Sequence, residues 1–412
     1  MRVLVVSQYF WPENFRVNDL VAELGTRGHE VTVLTGLPNY PEGKVFPEFR
    51  RNPRRFSSYA GAEIVRVPIV ARGKSAARLA LNYLSFVLAG AAFGPWRLRG
   101  RQFDAIFVFE TSPITSCLPA ILIGRLKRAP VLMWVLDLWP ETLAAVGVVR
   151  SSWLLAMIGR LVSFIYRHCD LVLAGSQAFL PSIEKHSGDA SRIRYFPGWA
   201  EPLFRESNTA VEGAPELQPY QKTFNVLFAG NIGEAQDFPA ILDAAEVLRE
   251  RPDIRWLIVG DGRAATWVRG EIRRRGLDEL VVMLGRHPIE RMPAFFSAAD
   301  ALLVTLKRDP VFALTIPGKV QAYLATGLPV IGMLDGEGAR VLLESRAGLV
   351  CPSGDGVALA DRVVKVAALA AKERAEMGAH GREYSAREFD RDRLLTQLEH
   401  WMREVASVAK AP

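Results

Sequence analysis

Residues 315–332 read TIPGKVQAYLATGLPVIG. A short apolar run, residues 301–307 (ALLVTLK), comes just before them. Pro317 fits the first position of a helix, where its missing N–H costs nothing. Lys319, Val320, Tyr323 and Leu324 then recur at helical spacing, Gly327 supplies a stop and Pro329 follows close behind. Val330-Ile331-Gly332 restarts a buried strand. Strand, loop, helix, strand is the order of a parallel α/β sheet, and it aims a helix N-terminus at whatever occupies the loop. Free backbone N–H groups and the helix dipole make that point a seat for a phosphate-like anion, with Lys319 adding a charge beside it.

The same alternation runs through the rest of the chain. Residues 3–7 read as a buried strand, 17–27 as a helix and 30–35 as a second strand, a βαβ opening of a doubly wound sheet. The loop after the first strand, Gln8 to Arg16, holds no glycine, which argues against NAD or FAD at this turn. Residues 104–109 form a further strand ending in Glu110-Thr111-Ser112-Pro113, and 130–136 another ending in Asp137-Leu138-Trp139-Pro140-Glu141. Residues 151–168 read as an amphipathic helix flanked by Arg150 and carrying Arg160 and Arg167, and 170–175 as the last strand of this half. The Pro-rich, polar stretch 198–223 reads as a linker. Strands at 224–229, 256–259 and 281–284 then end in Gly230-Asn231-Ile232-Gly233, Gly260-Asp261-Gly262 and Gly285-Arg286-His287. The expected fold class is therefore α/β, with a domain at 1–197 and another at 224–386, each a Rossmann-like doubly wound parallel sheet.

The 412 residues suffice for two cores, and 50% hydrophobic with 23% charged residues is an ordinary globular composition. Cys117, Cys169 and Cys351 are odd in number and widely spaced, so neither a disulfide framework nor a metal motif is read and a reducing compartment is expected. The first strand begins at once, with no signal-peptide core. Residues 1–200 carry 24 Lys/Arg against 14 Asp/Glu, a balance of +10, and the remainder 27 against 30, a balance of −3. A basic first half suits an anionic surface. No nucleic-acid motif accompanies it, so nucleic acid is not an expected partner. The 18 residues between Arg78 and Arg97 carry no charge but include Asn82, Ser85, Gly90, Gly94 and Pro95, which fits a buried or membrane-skimming helix better than a span. Arg72, Lys74 and Arg78 before it, and Arg97, Arg99 and Arg101 after it, suit an interfacial segment, with the Arg50/Arg51/Arg54/Arg55 group as a second basic cluster.

The 315–332 stretch, the GHEVTVLTGLPNYPEGK text of residues 28–44, and the ETSP and DLWPE segments resemble glycosyltransferase family 4. The likeness is to its O-antigen, capsule and colanic-acid branch, which includes L-fucosamine transferases. The resemblance implies a GT-B architecture, two Rossmann-like domains facing across a cleft, with a terminal helix near 387–408 returning to the first. It implies a retaining transferase that moves a sugar from a nucleotide-diphosphate sugar, UDP-sugar favoured, to a lipid-linked (polyprenyl diphosphate) glycan. The enzyme would be cytoplasmic, peripheral on the inner face of the cell membrane. Donor contacts would come from Gly230, Asn231, Gly233, Arg286, His287, Lys307, Thr315, Ile316, Gly318, Lys319 and Gln321. Arg16, Asn39, Tyr40 and Glu141 would line the acceptor side, while Asp137 or Glu110 would act on the acceptor hydroxyl.

The chain departs from the family pattern at several places. The family's basic pair after the glycine loop falls at Gln236 and Asp237. Its paired glutamates fall at Leu314 and Ala322, leaving Gln321 to meet the ribose, and Asp137 stands where relatives have a histidine. Positive field for the leaving diphosphate then rests on Lys319, Lys307 and the helix N-terminus, with neither cofactor nor metal expected because no D-x-D ends a strand. Two other readings stay open: a nucleotide-sugar 2-epimerase of the same architecture, and a non-catalytic membrane-bound assembly subunit. His29, at a strand entrance, reads as a structural hydrogen-bonder.

Overall fold

The computed structural model describes residues 1–73, 75–145, 149, 151–205 and 213–410. Lys74, Arg150 and the 206–212 part of the expected linker lie outside them. The chain divides into two units, Met1–Phe196 with Leu395–Pro412, and Pro197–Leu394.

In the first unit the strands are β1 (Arg2–Val6), β2 (Glu30–Thr35), β3 (Ser58–Tyr59), β4 (Ala62–Arg66), β5 (Ala105–Glu110), β6 (Val131–Val135), β7 (Leu171–Ala174) and β8 (Ile193–Tyr195). They form one sheet in the order β3-β4-β2-β1-β5-β6-β7-β8. All pairs are parallel except the β3–β4 hairpin. Both faces of this sheet are covered, which is why VLVV of β1 and VLMWV of β6 are apolar without alternation and buried throughout. Strand order reverses between β1 and β5, which opens a crevice at their carboxyl ends. The β3–β4 hairpin is absent from the expectation. Its turn is Ala60-Gly61, with φ of 47° and 83°, and an alanine in the left-handed region carries no sequence signal.

The second unit holds β9 (Phe224–Ala229), β10 (Ile254–Val259), β11 (Val281–Gly285), β12 (Ala301–Thr305), β13 (Val330–Met333) and β14 (Gly348–Cys351). The order β11-β10-β9-β12-β13-β14 is the doubly wound arrangement, parallel throughout. Residues 198–223 are not a free linker where described: Ala200, Phe204, Ala214 and Leu217 are buried in this unit's core. The polar surroundings of these four residues conceal them in the sequence.

The terminal helix runs Arg391–Lys410, and Ala371–Glu388 is a separate helix, so the expected start at 387 falls near the end of the earlier one. Glu399 on the terminal helix meets His29 Nε2 at 2.5 Å and Arg27 Nη1 at 3.3 Å, and Trp401 packs edge-on against Phe196 at 5.9 Å. His29 thus holds the helix to the first unit through a buried hydrogen bond. Cys117 and Cys169, 52 positions apart, meet at 3.7 Å as buried free thiols, a proximity invisible in their spacing.

Candidate active site

In the second unit, β9 and β12 pair only at Val226 and Leu227 before they part. The N–H and C=O of Ala229 are left without a neighbouring strand there, and the Tyr323 hydroxyl meets both, accepting from the N–H at 3.0 Å and donating to the C=O at 3.1 Å. This staple fixes the Gly318–Thr326 helix against the end of β9. Its next consequence falls on Lys319, whose side chain lies over Gly230: a Cβ built on Gly230 would come within 2.6 Å of Lys319 Cε and 2.9 Å of Nζ. The amine sits 3.4 Å from the centre of the Phe228 ring. It is buried without a hydrogen-bond partner among the described residues, although part of the side-chain stem remains open. Burial alone lowers its pKa to about 7. A buried amine with no hydrogen-bond partner, on the first turn of a helix, has the charge and position to receive an anion.

Glycines set the loops around it. Gly230 has φ of 138° and donates its N–H to Val259 O at 2.8 Å; Gly260 has φ of 146° and a Cβ there would lie 1.8 Å from Gly230 O. Gly262 is likewise pressed on Ile232 O, at 2.3 Å from its would-be Cβ. The turns after β9 and β10 are therefore stacked backbone on backbone. Gln236 accepts from Gly233 N at 3.1 Å, closing the first turn.

In the first unit a cavity of about 690 Å³ opens at the crevice. Tyr9, Phe15 and Tyr40 form one aromatic wall with ring centres 5.1 to 5.6 Å apart, and Tyr83 and Trp139 line other sides. Arg72, its guanidinium 5.2 Å from the Tyr40 ring, is the charged residue of the lining. Ser112 and Thr142 also line the cavity, and both donate to the Asp137 carboxylate, at 2.5 and 2.6 Å. Trp139 Nε1 donates to Ser112 Oγ at 2.9 Å and to Asp137 at 3.3 Å. Ser112 holds a φ of 77°, a strained backbone for a residue with a Cβ. An aromatic cavity with hydroxyls, one cation and a fixed carboxylate behind them suits a polyhydroxylated ligand.

Comparisons with known proteins bear on family and fold. Residues 14–199 match the model of a glycosyl transferase 4-like domain, and residues 223–368 that of glycosyl transferases group 1. The chain belongs to glycosyltransferase family 4. It is 25% identical to Escherichia coli K12 WcaI, named for colanic acid biosynthesis as a glycosyl transferase, over 97% of this chain and 98% of that one. Anabaena Alr3699/HepE, solved with UDP, shares its fold at a TM-score of 0.71 and 16% identity, covering 98% of this chain and 100% of that one. Sucrose-phosphate synthase of Thermosynechococcus elongatus does so at 0.69 and 17%, covering 99% of each. The two parallel-sheet units are those of the GT-B architecture.

The residues expected from sequence separate clearly in this glycosyltransferase. Gly230, Asn231 and Gly318 are exposed, Lys319 lies against Gly230, and Gly233 lies against Asn231. Pro317 is the N-cap and Gly318 the first helical residue, one position later than expected. Thr315 donates its hydroxyl to Phe312 O at 3.1 Å, and Ile316 packs on the core. Gln321 is buried at 3% exposure, on the inner face of its helix. Lys307 is exposed; burial raises the pKa of Asp237, and the Lys307 charge opposes that rise only in part. Arg286 is exposed, whereas both ring nitrogens of His287 are taken, by Leu284 O at 3.0 Å and Arg291 Nη1 at 2.9 Å. His287 is a structural residue here.

Of the residues expected on the acceptor side, Tyr40 lines the cavity and Arg16, the first residue of the Arg16–Thr26 helix, does not. Asn39 is fully buried, its side chain spent on Leu37 O and Arg72 N at 2.8 Å each. Glu110 ends β5 with no exposure and accepts N–H bonds from Ser112 at 2.8 Å and Asp137 at 3.2 Å. Burial first, then the Asp137 carboxylate, raises its pKa well above the ordinary range. Glu110 therefore positions the two loops and cannot reach an acceptor. Glu141 accepts from Ser182 at 2.5 Å and lines a different groove, with Arg160 and Arg167. Residues that the sequence does not assign to the site complete the cavity: Arg72, Tyr83, Ser112 and Thr142. Ser112 belongs to the quoted ETSP loop and Thr142 directly follows DLWPE, but nothing in their spacing shows that they share Asp137. Among the described residues no group of three His, Cys, Asp or Glu is placed to hold a metal ion.

Proposed function

We propose that this glycosyltransferase moves a sugar from a UDP-sugar to a lipid-linked glycan, with retention, at the cytoplasmic face of the cell membrane during surface-polysaccharide assembly. The observation that carries the donor half is the buried, unpaired Lys319 amine between Gly230 and a helix N-terminus. It supplies positive charge where a diphosphate needs it, in place of the basic pair the family usually sets after the glycine loop. HepE, of the same fold, was solved with UDP and with UDP-glucose, and WcaI carries a colanic-acid name, which supports the donor and the pathway class.

In this reading the C1–O bond to the diphosphate breaks and its electron pair goes to the phosphate oxygen. The acceptor hydroxyl oxygen forms the new bond to C1 on the same face, and its proton passes to the departing phosphate. Lys319 and the helix N-terminus stabilise the charge that develops on the diphosphate. The Ser112–Asp137–Thr142 cluster holds the acceptor hydroxyl in the aromatic cavity. The test is a panel of UDP- and GDP-sugars scored for thermal stabilisation, then for turnover with and without a polyprenyl-diphosphate glycan. Acceptor-dependent consumption of a UDP-sugar is expected. Epimerised donor without acceptor, or no turnover of any donor, would overturn the assignment.

A further inference from the structure

Three helices of the first unit, Ala76–Arg97, Cys117–Lys127 and Ser152–Arg167, lie side by side. The first two meet through glycines: a Cβ on Gly90 would lie 2.8 Å from Pro119, and one on Gly94 would lie 3.1 Å from Ile123. Asn82, fully buried, binds Gln8 Nε2 at 2.7 Å and Val70 O at 2.6 Å. That packing occupies one side of the first helix. It is long and apolar enough to cross a membrane by length and composition, yet its inner side is committed to protein, so only its outer side is free to meet lipid.

The outer sides share one character. Leu81, Leu84, Leu88 and Trp96 are exposed along the first helix, Leu84 at 53% and Leu88 at 60%. Leu122 and Leu126 are exposed on the second. On the third, Trp153, Met157, Arg160, Phe164 and Arg167 follow one face at intervals of four, three, four and three, with Trp153 71% exposed. None of the three helices contains a single Asp or Glu, while Arg78, Arg97, Arg125, Lys127, Arg160 and Arg167 are spread among them. An ordinary solvated helix layer mixes both signs and does not expose tryptophan and leucine in rows. Apolar side chains edged by arginine and lacking carboxylates are complementary to lipid tails beneath anionic headgroups.

We infer that the three-helix face is a docking surface for an anionic bilayer, its helices lying in the plane of the interface. The aromatic cavity gives the arrangement its purpose: Leu79 and Tyr83 of the first helix and Ile158 of the third line that cavity. A glycan held there belongs to a lipid whose tail is in the same bilayer, the one point at which this inference rests on the proposed acceptor. Arg160 and Arg167 also edge the neighbouring groove, about 810 Å³, with Lys185, so that phosphate-bearing headgroups have a basic seat beside the apolar rows.

The experiment is sedimentation of the full chain with phosphatidylcholine vesicles, with and without phosphatidylglycerol, alongside mass measurement in solution and thermal stabilisation by UDP. Binding is expected to the anionic vesicles, to fall about tenfold or more as salt rises from about 0.1 to 1 M and screening shortens from ~10 to ~3 Å. A Leu84→Glu/Leu88→Glu/Trp153→Glu variant should lose vesicle binding about tenfold or more while its UDP stabilisation stays unchanged. An Arg97→Gln/Arg160→Gln/Arg167→Gln variant should lose mainly the preference for anionic lipid. Failure of the wild-type chain to bind anionic vesicles at low salt overturns the inference and leaves the donor assignment intact. A wild-type dimer that the leucine variant dissolves, without vesicle binding, overturns it in favour of a second copy. Vesicle binding without any nucleotide stabilisation supports the surface and sinks the donor assignment instead.

Discussion

Lys319 carries the most consequence of any single residue. Below about pH 7 its amine is charged in the folded and the unfolded chain alike. Between about 7 and the ordinary 10.5 the unfolded chain keeps a proton that the folded one has released, so ligand-free stability rises with pH across that window. A diphosphate beside the amine restores the proton. UDP binding is therefore expected to take up a proton above about pH 7 and to weaken as pH rises, by up to about tenfold per unit. Uridine affinity should stay flat. Calorimetry in two buffers of different ionisation heat reads the uptake directly, and UDP affinity that does not change between pH 7 and 9 would remove Lys319 from the phosphate. Lys319→Met keeps the stem over Phe228 and deletes an unpaired buried amine, so it should leave Tm unchanged or higher while UDP stabilisation is lost. Asp137 makes a second, separable prediction. Asp137→Asn should spare UDP affinity and cut transfer about 10²-fold or more, since only the acceptor hydroxyl depends on that cluster. Normal turnover by a folded Asp137→Asn protein would reduce the carboxylate to a brace for Ser112 and Thr142.

Among elements, the Gly318–Thr326 helix is held by one hydroxyl more than by its sequence. Tyr323→Phe leaves the N–H and C=O of Ala229 buried and unpaired where β9 and β12 diverge, which costs about 1–3 kcal/mol. A fall in Tm accompanied by weaker UDP binding is expected in Tyr323→Phe; a fall in Tm with UDP affinity unchanged would show that the helix holds its place by packing alone. This helix also marks the limit of what the sequence reveals. Its span and its αL stop at Gly327 follow from local spacing, and so do most strands, because parallel strands buried on both faces are plain apolar runs. The reason for Gly230 does not follow. The resemblance assigns Gly230 to donor contact, whereas the structure shows Lys319 filling the space where its side chain would be, a contact across 89 positions. The aromatic cavity is hidden for the same reason, since Tyr9, Tyr40, Tyr83 and Ser112 come from four separate segments. Glu110 reads as a candidate from sequence because its position at a strand end is visible there but its complete burial is not. The Ala60-Gly61 hairpin is not legible in the sequence because its turn lacks the usual asparagine or aspartate.

At the scale of the whole molecule, the chain leaves its first unit at Phe196 and returns at Leu395 to finish it. The returning helix buries Leu395, Leu398, Trp401 and Met402, and its Glu399 closes the His29 and Arg27 contacts. At about 1.5–3 kcal/mol for each large apolar side chain, those four contribute roughly 6–12 kcal/mol to the first unit as an upper estimate. That matches the whole stability of an ordinary domain, about 5–15 kcal/mol. The second unit has a core of its own and carries Lys319, Gly230 and Tyr323, none of which depends on the returning helix. A chain ending at Asp390 is therefore expected to lose the folding transition of the first unit at ordinary temperature. It should retain a second transition that UDP shifts upward, and it should show no transfer at any acceptor concentration. Scanning calorimetry with and without UDP separates the two. Loss of both transitions together would mean that the units fold as one cooperative body, while survival of both would mean that the terminal helix contributes far less than its buried side chains imply.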